Sequence, residues 1–143
     1  MTDFSFIQIT DHHLLESETA LRDGFCPGHA FRMVMRHISE QVADKVDFII
    51  STGDLVEPET DANYQGALKL LGINSSAALP GPQRINIEGL NNFPMYFLPG
   101  NHDDREMMKS TLSATCSEIC RITIRNACPG QNPSRRAVSD SSR

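Results

Sequence analysis

Phe48-Ile49-Ile50-Ser51-Thr52-Gly53-Asp54 is a short apolar and β-branched run that stops at a glycine followed by a carboxylate. Such a run predicts a central β-strand ending in a turn, with Asp54 just past the strand's carboxyl end. On the N-terminal side, Phe31, Val34, Met35, Ile38 and Val42 recur at the spacing of one helix face. Before them, Phe4-Ser5-Phe6-Ile7-Gln8-Ile9 reads as another strand, followed by Asp11-His12-His13, so residues 4–54 form a β-α-β unit. On the C-terminal side, Tyr64, Ala67, Leu68 and Leu71 repeat the helical spacing, and Gly72 stands where a helix end favours positive φ. Met95-Tyr96-Phe97-Leu98 predicts a third strand before Gly100-Asn101-His102-Asp103. Between these elements, Ile73 to Asn92 reads as a long loop-like surface insertion, with Ser75-Ser76, Pro80-Gly81-Pro82 and Asn91-Asn92 as its turn signals. The expected class is α/β, with mostly parallel strands and crossover helices.

Residues beyond the carboxyl ends of parallel strands collect along one edge of an open α/β sheet, so three motifs distant in sequence can converge. Asp11, His13, Asp54 and Asn101 then offer two carboxylates, an imidazole and an amide oxygen, donors that suit Mn, Fe or Zn. His102 is left over for proton transfer. Taken singly, Asp-x-His and Gly-Asp are ordinary turn or helix-cap sequences. Gly-Asn-His-Asp is far more specific, and the ordered set of three, each at a strand end, outweighs the turn interpretation. His12 reads as a bystander between two ligating positions, and His29 and His37 as ordinary helix or surface residues.

The chain has 143 residues, 39% of them hydrophobic, which suits a single core, and no internal repeat. No apolar run reaches the roughly 20 residues of a membrane helix, and the N-terminus does not read as a signal peptide; a cytoplasmic location without membrane contact is expected. A net charge of −5 argues against nucleic acid as the main partner. Composition changes near Ala114. Residues 1–113 carry a net −8, whereas 114–143 carry five Arg against Glu118 and Asp140, and hold Cys116, Cys120 and Cys128. The expected organisation is therefore an α/β portion over 1–113 and an Arg/Ser/Cys-rich tail over 114–143, disordered at least from Ala127. The cysteines, including Cys26, read as free thiols rather than disulfides or a zinc site.

Ile9-Thr10-Asp11-x-His13-Leu14, Thr52-Gly53-Asp54-Leu55-Val56 and Leu98-Pro99-Gly100-Asn101-His102-Asp103-Asp104-Arg105 resemble the first three signatures of the calcineurin-like metallophosphoesterases. Within that family they are most similar to the bacterial class III cyclic-nucleotide phosphodiesterases. The resemblance covers Phe4 to Lys109 and implies the N-terminal part of an α/β/β/α sandwich whose second sheet is incomplete here. It implies two divalent metal ions: Asp11 and His13 on the first, Asp54 bridging both, and Asn101 on the second. It also implies that His102 protonates the leaving alkoxide, while a hydroxide between the ions attacks a small phosphodiester such as a cyclic nucleotide. Asp103 is a candidate to orient the His102 ring, by sequence adjacency alone.

The family completes its site with a later His and a Gly-His-x-His segment, whereas this sequence has no His after His102. The implied second ion keeps only Asp54 and Asn101. An alternative expectation is therefore a truncated or frameshifted, inactive remnant, with self-association through the uncovered sheet. Asp11-His12-His13 also resembles the DHH phosphoesterases, but their other acidic motifs are missing and they do not account for Gly100-Asn101-His102-Asp103.

Overall fold

The computed structural model describes residues 3–74 and 82–112. Strands β1 (Phe6–Ile9), β2 (Phe48–Thr52), β3 (Gln83–Ile87) and β4 (Leu90–Leu98) form one sheet in the order β1-β2-β4-β3. β1 and β2 pair in parallel, as do β2 and β4, while β3 runs antiparallel to β4. The helices are α1 (Pro27–Gln41), α2 (Asp61–Leu71) and α3 (Arg105–Leu112). This is the mostly parallel α/β arrangement expected of the chain.

Alternation along the strands sends Ile49, Ile85, Ile87, Met95 and Phe97 to one face. There they join Phe31, Met35 and Ile38 of α1, Tyr64, Ala67, Leu68 and Leu71 of α2, and Met108 and Leu112 of α3 in one buried cluster. One sequence expectation for α1 needs adjustment. Val34 is 47% exposed, because the helix buries a narrower stripe than the periodicity suggested, whereas Val42, the C-cap residue, packs partly buried against the core. α2 follows the expectation closely: Thr60 caps it by accepting from Asn63 N, and Gly72 closes it at φ 63°.

The insertion expected over Ile73 to Asn92 is only partly a loop. Gln83–Ile87 and the start of β4 form an antiparallel hairpin, turned by Glu88-Gly89 at φ 48° and 88°. Such a pair of positive φ angles is what a tight two-residue hairpin requires. Polar Gln83, Arg84, Asn86, Asn91 and Asn92 hid the strands, although Gln83, Ile85 and Ile87 alternate inward. Pro94 is accommodated because the β2 ladder begins only at Met95. Ser75, Ser76, Pro80 and Gly81, like the tail from 114 onward, lie outside the described residues.

The opposite sheet face carries Phe6, Phe48, Ile50 and Tyr96. Phe6 stacks on Phe48 with ring centres 5.3 Å apart, and Phe48 meets Tyr96 edge-on at 5.2 Å. No second sheet covers this face among the described residues, and Phe6 is 49% exposed.

Candidate metal centre

The chain segments leaving β1 and β2 stay side by side after the strands end. Asp11 N donates to Gly53 O at 3.2 Å, His13 N to Asp54 O at 2.9 Å, and Leu14 N to Leu55 O at 2.9 Å. This pairing brings the first two motifs together before any side chain is considered. Asp11, His13 and Asp54 all adopt left-handed backbone, at φ 57°, 47° and 49°. Non-glycine residues in that region are uncommon and concentrate at functional sites.

Asp11, His13 and Asp54 each present a ligand atom within 4.8 Å of the other two. His13 turns Nε2 toward Asp11, 3.9 Å from Oδ1. Its Nδ1 is buried 2.8 Å from Glu57 Oε2, yet the N–H direction is not aligned on that oxygen, so the contact is close without being a well-formed hydrogen bond. Two carboxylates and one imidazole are a donor set that fits a divalent transition metal.

The third motif reaches the same place through Gly100 and His102. His102 N donates to Asp54 Oδ1 at 3.0 Å. Gly100 packs so close that a Cβ there would fall 2.0 Å from Asp54 Oδ1 and 2.4 Å from Asp54 N. The His102 ring lies 5.6 Å from that of His13, edge to face. Asn101 is exposed on the same loop, and with His102 it lines an open cleft.

Asp103 occupies a different place from the one its adjacency to His102 suggested. Its buried carboxylate accepts from Leu55 N, Val56 N and Gly100 N at 2.9–3.3 Å and from the Tyr64 hydroxyl at 3.4 Å. It ties the β4 loop to the β2 loop. The carboxylate beside the His102 ring is that of Glu57, with Oε1 3.5 Å from Nδ1. Sequence reasoning missed Glu57, and its only signal is that it stands three residues after Asp54. Arg22 grips Glu57 at both oxygens, and the hydrogen bond from that guanidinium holds the Glu57 carboxyl below its usual range.

His12 turns away from the candidate ligands. Its Nε2 pairs with Ser51 Oγ at 2.9 Å and its ring meets Phe31 edge-on at 5.0 Å. Burial pushes its pKa down to about 4. His29 and His37 are exposed on α1.

Residues 4–130 match the family model described as calcineurin-like phosphoesterase. The chain is 28% identical over 113 residues to a probable cyclic nucleotide phosphodiesterase of Colwellia psychrerythraea, covering 78% of this chain and 36% of that protein. It is 31% identical over 99 residues to a 3',5'-cyclic-nucleotide phosphodiesterase of Nostoc, covering 69% and 30%. Over 107 residues it is 29% identical to a 3',5'-cyclic adenosine monophosphate phosphodiesterase of Haemophilus influenzae, covering 75% and 32%. The chain thus spans about a third of the length of these relatives.

Proposed function

Because this chain belongs to the calcineurin-like phosphoesterase family, we propose that its clustered ligands serve metal-dependent hydrolysis of a small phosphodiester, with cyclic nucleotides as the substrate class. The observation that carries this is the meeting of Asp11, His13 and Asp54 within 4.8 Å, with the His102 ring alongside. Asp11 and His13 would hold one divalent ion, Asp54 would be shared with a second, and Asn101 would offer its amide oxygen to that second ion. Bound ions supply Lewis-acid polarisation of the phosphodiester and acidification of water.

The remaining work falls to this chain's own side chains. Glu57 faces His102 at Nδ1, which leaves Nε2 as the ring nitrogen available to substrate. His102, 43% exposed at the cleft, gives its proton to the leaving alkoxide. Asp54 steadies the same residue by accepting from its backbone N–H. The names of the relatives support the substrate class.

A second interpretation is binding of one ion without turnover. It is favoured by the ligand count, since among the described residues only Asp54 and Asn101 are assigned to the second ion. The deciding experiment is Mn²⁺-dependent hydrolysis of bis-p-nitrophenyl phosphate by the purified chain, with Asp54→Asn as control and metal stoichiometry measured in parallel. Turnover lost in the variant, with close to two ions per chain, is the expected result. One ion per chain and no turnover above the variant establishes the second interpretation, and no ion bound overturns both.

A further inference from the structure

The segment between β1 and α1 is a built strap. Arg22 and Phe25 exchange two backbone hydrogen bonds of 2.8 Å around Asp23-Gly24, which take φ of 50° and 80°. Asp-Gly with positive φ at both positions is the preferred two-residue turn of this kind. The strap is pressed onto both neighbouring helices at glycines. A Cβ at Gly28 of α1 would fall 2.6 Å from Glu18 O, and one at Gly66 of α2 would fall 2.5 Å from Leu15 O. Cys26 Sγ donates to Glu18 O at 3.0 Å, closing the base. Glycine inside a helix costs about 1 kcal/mol relative to alanine, so the close approach at Gly66 has a stability cost that the strap's position requires.

What the strap delivers is one guanidinium. Arg22 Nη2 donates to Glu57 Oε1 at 2.6 Å, while Nη1 lies against Oε2. Each oxygen so held also faces one imidazole: Oε2 stands 2.8 Å from His13 Nδ1, and Oε1 3.5 Å from His102 Nδ1. A two-pronged Arg–carboxylate contact fixes the carboxylate plane, which a single contact does not. We propose that Arg22 is a positioning residue that locks the Glu57 carboxylate between His13 and His102, and so presets His13 for the metal. Without Arg22 the carboxylate turns freely and can serve one ring at the expense of the other. This inference rests on the metal site of the preceding section.

The test is Mn²⁺ binding to the full chain by titration calorimetry, with metal-free melting temperatures measured alongside. Wild type, Arg22→Met, Arg22→Lys, Glu57→Gln and the Arg22→Met/Glu57→Gln double variant are compared. Losing a partner that orients a metal-binding His typically weakens binding about 10–100-fold. Arg22→Met is expected to weaken Mn²⁺ binding about tenfold at an unchanged metal-free melting temperature, with Arg22→Lys recovering part of it. The double variant is expected to lose no more than Glu57→Gln alone, because both changes remove the same constraint. Wild-type affinity in Arg22→Met overturns the proposal, as does additive loss in the double variant or a fall in melting temperature that tracks the loss of affinity. No Mn²⁺ uptake by the wild type overturns the metal site itself, and this inference with it.

Discussion

At the scale of single residues, the candidate metal centre is a set of close backbone approaches as much as a set of donor side chains. Gly100 shows this best, because only a hydrogen fits where a Cβ would meet Asp54 Oδ1 at 2.0 Å. Gly100→Ala is expected to destabilise the chain by about 2 kcal/mol in urea melts through overpacking. It should also weaken Mn²⁺ binding by roughly tenfold or more, since Asp54 must move. His12 yields a prediction in pH. Burial lowers its pKa from the usual 6.5 to about 4 in the fold, so the unfolded chain binds more protons between those values. The contribution of neutral His12 is therefore fully present above pH 6.5 and lost as pH falls toward 4, in total about 3 kcal/mol. Urea midpoints from pH 4 to 7 should show this acid limb, and His12→Gln should flatten it. Asp11, His13 and Asp54 were legible because each follows a strand within a short motif. Glu57 was not, because Arg22, which holds it, lies 35 positions earlier in a loop without periodicity.

At the scale of elements, the parallel strands and two of the helices were legible from period and turn residues alone. α2 followed its pattern residue for residue, down to Gly72 at its end. The β3–β4 hairpin was obscured because its outward positions are Asn and Arg, and because Pro94 argues against a strand unless one flank lacks a partner. α3 went unread because only Met108 and Leu112 are buried in its two turns. Its start is set by Asp104, whose Oδ1 accepts from Glu106 N and Met107 N at 2.9 and 2.8 Å. The loop that bears Asn101 and His102 is thus bounded by β4 on one side and a capped helix on the other.

At the scale of the whole molecule, α1, α2 and α3 pack into a single core on one side of the sheet. The other side exposes Phe6 and carries the Phe6–Phe48–Tyr96 aromatic row, and among the described residues β1 is the edge strand beside it. Apolar faces and open edges of this kind favour association. Sedimentation velocity over a range of concentrations is expected to show reversible self-association of the chain, weakened by Phe6→Lys; concentration-independent monomers would contradict this. Among the described residues no helix is long and apolar enough to cross a membrane. The backbone pairing that runs past β1 and β2, from Asp11 N to Gly53 O through Leu14 N to Leu55 O, carries a thermodynamic consequence. The ordering entropy of the ligand-bearing segments is incurred when the sheet forms, not when an ion arrives. Ion capture at this candidate site would then demand little reorganisation of the backbone that bears Asp11, His13 and Asp54.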